Sequence, residues 1–353
     1  MMRVTAIAGL AVMLTGAVRA QDWKVQTSGL DTNLRGVSAA WTEIEGKKPE
    51  TVAWAAGSNG VVLRSTDDGK TWKRMHVPEG DGLDFRGVQA INQKTAYLMA
   101  SGEGEKSRIY KTTDQGANWE LQYTDKRKEF FLDAIVCESE TKCFALGDPM
   151  DGKFVLLKTE DGKHWAQMPT DQMPTTLKGE GAFAGSNTAL ALGEGEDLFF
   201  GTGGANPARV FYSPNSGQTW STFDTPILAG TASAGIFSIE AKEGKTVVVA
   251  GGDYKLAEQA RDVAAYSLSK GEKWALAASQ PGGFRSAVAS VDGTLFVAVG
   301  PNGTDISFDA GKTWKKSDDL NLNAVCVLDI FHVWAVGAKG TIAKFQNPKK
   351  YEE

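Results

Sequence analysis

A ring of seven four-stranded β-sheets is the fold that this 353-residue chain predicts, and three observations predict it. A turn of the form S/T-x-D-x-G-x-T-W recurs along the chain in perfect and degraded copies. The tryptophans that close these turns stand roughly 45 residues apart, the length of one four-stranded blade. An isolated Trp-containing strand near the start of the chain has no turn before it and is free to complete the last blade. Composition agrees: 40 glycines against 11 prolines indicate many tight turns, not a disordered Pro/Gly tract.

Residues 1–20 read as a signal peptide outside the fold. Arg3 supplies the positive start, Val4 to Leu14 is a short apolar run, and Ala17-Val18-Arg19-Ala20 offers a cleavage site. Removing the leader takes away Arg3 and Arg19, so the net charge moves from −5 to −7. The remainder, residues 21–353, is expected to be one exported domain, periplasmic or secreted and monomeric. No later run approaches the length of a membrane-spanning helix.

The turn is perfect at Ser65-Thr66-Asp67-Asp68-Gly69-Lys70-Thr71-Trp72 and at Ser307-Phe308-Asp309-Ala310-Gly311-Lys312-Thr313-Trp314. Weaker copies end at Trp119 and Trp220, and the weakest are read as Glu160-x-Gly162-x-His164-Trp165 and Ser267-x-Ser269-x-Gly271-x-Lys273-Trp274. Each part has a physical task. The carboxylate accepts backbone N–H groups inside the turn, the glycine takes a positive φ, and the indole is buried between sheets. A motif present in six blades is structural, not catalytic.

Short apolar or alternating runs fill the intervals: Thr51–Ala56, Val61–Arg64, Ala96–Ala100, Phe154–Lys158, Thr246–Ala250, Leu295–Val299 and His332–Val336. One short helix is expected near Lys255–Asp262. A seventh turn would fall beyond the last residue, whereas Asp22-Trp23-Lys24-Val25 resembles the strand after each turn. Trp23 therefore joins Ala324–Leu328, His332–Gly337 and Thr341–Phe345 in a seventh blade, which removes the open sheet edges. Cys137 and Cys143 flank a hairpin and suit a disulfide, while Cys326 reads as a buried apolar residue.

The charge balance and the absence of basic blocks argue against nucleic-acid binding. Three scattered histidines and three cysteines give no metal site, and the glycine-rich loops lack the P-loop lysine, so no cofactor is expected.

The recurring turn is similar to the Asp-box, or bacterial neuraminidase (BNR), repeat. With the V/A-G-x-x-G hairpins, the chain resembles the photosystem II stability/assembly-factor propellers and their non-photosynthetic bacterial relatives, some loosely labelled oxidoreductases or glycosyl hydrolases. That resemblance implies a seven-bladed propeller that binds another protein outside the cytoplasm. It also implies a patch of arginines near the axis, matched here by Arg35 and Arg86, and by Arg285 with a one-residue slip. Other blades depart from it, with Asp133, Glu180 and Asn323 in comparable places.

Strand order sorts the loops by face. The recurring turns lie on one face, and the starts of the first strands lie on the other together with the second-to-third loops. Arg35, Arg86, Asp133, Glu180 and Arg285 fall on that second face, joined by Asp148, Asp253, Tyr254 and Asp305. The reading from these residues is a non-catalytic binder of a protein, peptide or glycan through a charged face around the channel. The alternative is a sialidase-like or other glycoside-processing enzyme on the same face. It would use Arg35, Arg86 and Arg285 for a carboxylate, Tyr254 as nucleophile, and Glu180 or Asp148 as acid.

Overall fold

The computed structural model describes residues 23–42, 49–242 and 244–345. The expected leader lies outside the described residues. Seven four-stranded antiparallel sheets follow one another around the chain. The first blade comprises Leu34–Thr42, Glu50–Gly57, Val62–Ser65 and Lys73–Met75. The second comprises Phe85–Ala90, Ala96–Ala100, Arg108–Thr112 and Glu120–Thr124. The third runs Leu132–Cys137, Cys143–Met150, Lys153–Thr159 and Ala166–Gln167. In the fourth are Leu190–Leu192, Leu198–Gly201, Arg209–Ser213 and Ser221–Asp224. The fifth holds Ala234–Ala241, Val247–Asp253, Ala264–Ser267 and Ala275–Leu276. The sixth holds Ala287–Ser290, Phe296–Gly300, Gly303–Ser307 and Lys315–Asp318. Three strands of the seventh, Leu322–Asp329, His332–Gly337 and Thr341–Phe345, receive Trp23–Thr27 as the fourth.

Burial follows position in the blade. Second strands such as Ala96–Ala100 are wholly buried, because neighbouring blades cover both of their faces. Fourth strands such as Ala275–Leu276 lie at the rim and are exposed. The core therefore consists of layers between blades. In one of them Trp54 and Val62 of the first blade meet Val88, Leu98 and Trp119 of the second. The two indoles stand edge to face, with ring centroids 5.5 Å apart.

The recurring turns bond as their sequence predicts. In the first, Ser65 Oγ donates to Asp67 Oδ1 (2.8 Å), and Asp67 accepts from the Thr71 N–H (2.9 Å) and hydroxyl (2.6 Å). The turn at residues 307–313 repeats these contacts, and in the second blade Asp114 holds Asn118 in the same way. Gly116 shows why the glycine is needed. Its φ is +83°, and an added Cβ would lie 2.7 Å from the Trp54 ring of the preceding blade. In the third blade the carboxylate role belongs to Asp161, not to the Glu160 read from the sequence. Asp161 Oδ1 accepts from His164 N (2.8 Å), and Thr159 Oγ1 takes the place of the serine hydroxyl. The turn is one residue shorter, and alignment from the tryptophan backward slips by that residue.

Closure is made by the predicted strand. Trp23–Thr27 pairs antiparallel with Thr341–Phe345, and the Trp23 ring packs on Phe345. Across the seam, Lys344 pairs with Asp68, Gly340 N donates to Thr32 O (2.7 Å), and Asn323 Nδ2 donates to Leu34 O (2.7 Å). Cys137 and Cys143 face each other across their hairpin as a disulfide. The helix expected near Lys255–Asp262 is a single 3-10 turn, Tyr254–Leu256, capped by Asp253.

Candidate functional site

The residues that reach the mouth are selected by a repeated irregularity in the innermost strands. In the first, second, third, fifth and seventh blades the pairing register jumps one residue: between Leu34 and Gly36, Phe85 and Gly87, Leu132 and Ala134, Ile236 and Ser238, and Leu322 and Ala324. The skipped residues are Arg35, Arg86, Asp133, Phe237 and Asn323. A β-bulge re-aims its extra side chain, and all five line one cavity of about 520 Å³ at the mouth.

In the sixth blade Ala287 pairs with Val299, so Ser286 takes the position equivalent to Arg35, and it lines the same cavity. Arg285 is one residue earlier, in the core-facing place that Leu34 fills in the first blade. The slip noted in the sequence is therefore real, and one step along a strand turns a side chain to the other face. Arg285 is 0% exposed and paired with Asp305, whose Oδ2 accepts from its Nε at 2.7 Å. Neither residue lines the cavity. The three arginines thus form no cluster.

Glu180 is also drawn inward. It pairs with Arg209, whose Nε donates to Glu180 Oε1 at 2.9 Å, and the same oxygen accepts from Thr202 Oγ1 at 2.7 Å. Sheet register gives the fourth-blade equivalent of Arg35 as Thr188, because Leu190 pairs with Phe200. Asp253 caps the Tyr254–Leu256 turn and accepts from Thr231 Oγ1. Asp148 and the half-exposed Tyr254 do line the cavity. Of the nine residues singled out in the sequence, Arg35, Arg86, Asp133, Asp148 and Tyr254 come together, while Glu180, Asp253, Arg285 and Asp305 do not.

The segment before the fourth blade completes the wall. Ala184 O accepts from Arg86 of the second blade (3.1 Å), Phe183 stacks on Phe237 of the fifth (3.9 Å), and Ser186 Oγ donates to Ser286 O of the sixth (2.7 Å). This segment crosses the mouth and, with Phe237, Phe284 and Tyr254, gives the cavity an aromatic side. The sequence carried one signal of it: the interval from Trp165 to Trp220 is longer than the two before it.

The opposite side is charged and unevenly matched. Arg86 Nε donates to Asp84 Oδ2 at 2.8 Å. Arg35 forms no hydrogen bond or ion pair among the described residues; burial, and then the nearby Arg86 cation, lower its pKa against a smaller opposing effect of Asp84. Asp133 is 1% exposed, and its Oδ2 has no hydrogen-bond partner. Burial, with the neighbouring Asp148 charge, raises the Asp133 carboxyl well above its ordinary range, against a smaller opposing effect of Arg86. Burial also raises Asp148, whose Oδ1 accepts from Ala182 N at 3.2 Å. No group of three metal-ligating side chains occurs among the described residues.

Fold and site together define a seven-bladed propeller with one part-aromatic, part-charged pocket at its mouth. Among known proteins, the chain is similar to photosystem II assembly factors over a short stretch of sequence and in its fold. The photosystem II assembly lipoprotein Ycf48 of Synechococcus sp. (strain CC9902) is 31% identical over 72 residues, which is 20% of this chain and 20% of that protein. Solved structures that share the fold include two of Ycf48. One, described as YCF48 bound to D1 peptide, has a TM-score of 0.62 at 14% identity and covers 92% of this chain and 96% of that one. The other, YCF48 from Cyanidioschyzon merolae, has a TM-score of 0.65 at 16% identity and covers 92% and 99%. No family model matches the chain.

Proposed function

We propose that this protein is an exported, non-catalytic propeller that holds a segment of a partner protein in the mouth pocket, in the manner of an assembly factor. One observation carries the reading: Arg35 presents a part-buried guanidinium without an ion-pair partner, on the wall of a cavity whose far side is aromatic. A half-dehydrated cation whose neighbouring carboxylate, Asp84, is already paired with Arg86 is a costly arrangement for a scaffold alone, and an acidic or carboxylate group of a peptide would complete it. The aromatic side offers large, rigid contact area to the flanking residues. The likeness to a Ycf48 described as bound to a peptide supports the same reading. The glycoside-processing alternative loses one of its three arginines and one of its two candidate acids, since Arg285 and Glu180 are already engaged in buried pairs.

The test separates binding from stability. Arg35 has no partner to leave behind, so Arg35→Ala should keep the wild-type melting temperature and abolish capture of the partner from the exported fraction. Equal capture by the variant would overturn the reading. Turnover of any member of a fluorogenic glycoside panel, a sialoside included, that is lost in Asp148→Asn would replace it with the enzymatic one.

A further inference from the structure

Arg35 accounts for one side of the charged wall and leaves Asp133 unexplained. Asp133 is nearly as buried as the core leucines, yet its Oδ2 meets no donor. Arg86, the nearest cation acting on it, has Nε on Asp84 and a terminal nitrogen on Ala184 O. Asp148 stands beside it as a second carboxyl, partly satisfied by the Ala182 N–H. Two adjacent carboxyls with an orphaned oxygen, brought to a cavity wall by a strand bulge, form an acceptor site without a donor.

We propose that Asp133 and Asp148 form a subsite for a primary ammonium group of the bound segment, opposite the aromatic side of the cavity. A primary ammonium is compact and carries three donors radiating from one atom, which suits two carboxyls better than a planar guanidinium does. Phe237 and Tyr254 line the same cavity and offer apolar surface to the methylene stem. Burial disfavours the charged form of both carboxyls, and a bound cation would offset that cost. The pocket then reads a dipolar segment, with its anion at Arg35 and its ammonium at Asp133. This rests on the peptide-binding reading given above. A lysine side chain and a free amino terminus share the required chemistry.

Three small probes decide between them. Acetyl-lysine methylamide (acetylated on its α-nitrogen), its uncharged isostere acetyl-norleucine methylamide, and alanine methylamide with a free amino terminus are titrated into the 15N-labelled protein by NMR. The expected result is at least tenfold tighter binding of an ammonium probe than of the norleucine compound, with shifts centred on the Asp133 and Asp148 strands. The lysine probe binding more tightly identifies a side chain, and the alanine probe an amino terminus. Asp133→Asn, which preserves shape, should reduce the preference at least tenfold, with a melt confirming that the variant is folded. Equal binding of the norleucine probe, or full retention of the preference in Asp133→Asn, overturns the subsite. The two proposals fail separately. Partner capture that depends on Arg35 without any ammonium preference removes only the subsite, and ammonium binding in a protein that captures no partner removes only the proposed function.

Discussion

Asp133 concentrates the conflict between folding and binding in one side chain. An unfolded aspartate titrates near pH 4, and burial beside Asp148 raises the folded value well above that. A raised carboxyl contributes stability below the unfolded value, and that contribution is lost as pH rises through the folded one. The wild type should therefore gain stability on mild acidification from neutral pH. Asp133→Asn removes the buried charge and should stabilise the protein at pH 7.5 by about 1–3 kcal/mol, the scale of an unsatisfied buried group. The gain should shrink towards pH 4.5. Thermal melts across that range check it, and a lower melting temperature for the variant at pH 7.5 would contradict it. Residues of this kind were half visible in the sequence. Arg35, Arg86 and Asp133 share a pattern, an apolar residue followed by the charge and then a small residue, and each sits at a bulge. Arg285 carries the same pattern in Phe284-Arg285-Ser286 without the bulge, and only the sheet register shows that its side chain is buried. Phe237 occupies the same bulge but looks like ordinary core in sequence, so of the aromatic side only Tyr254 is legible there.

At the scale of the element, the recurring turn is a small self-contained network whose carboxylate, Asp67 in the first blade, organises Ser65, Lys70 and Thr71. Burial pushes the Asp67 pKa up, but hydrogen bonds from Thr71 and Ser65 outweigh it and lower the value overall. Asp309 behaves the same way with Thr313 and Ser307. Their contribution is present above the ordinary carboxyl range and is lost as pH falls through the depressed value, opposite in sign to Asp133. Asp67→Ala should cost about 1 kcal/mol at neutral pH, since the released donors are near solvent. The loss should shrink in strongly acidic solution, as chemical denaturation at pH 7 and pH 2.5 would show. A cost that persists unchanged at the lower pH would mean that the carboxylate is not the organising group. These turns were the most readable part of the chain, because each performs its chemistry within eight residues. The segment around Ala182–Thr188 was the least readable, since its partners lie on the second, fifth and sixth blades and no local pattern announces them.

For the whole molecule, the decisive feature is that the ring is closed without a covalent link between its ends. Six blades are each continuous in sequence, and the seventh is assembled from residues separated by nearly the full chain. Closing so long a loop delays the reward until most other contacts exist. What it then gains is specific: five paired residues, the Trp23 ring on Phe345, and the Lys344–Asp68 pair linking the seventh blade to the first. Without the closing strand, Thr341–Phe345 presents unpaired N–H and C=O groups along an apolar strand, which is a template for association between molecules. Removing residues 21–27 should therefore lower the melting temperature by many degrees and drive oligomerisation at micromolar concentration, read by light scattering during the melt. A synthetic peptide of residues 21–27 added in excess should suppress the association, because it supplies the missing edge. The milder Trp23→Ala, which empties a buried site against Phe345, should cost about 3–5 kcal/mol and leave the protein monomeric at low temperature. A truncated protein that melts with the wild type and stays monomeric would show that the seventh blade holds with three strands, and that closure by the first strand is incidental to the stability of the ring.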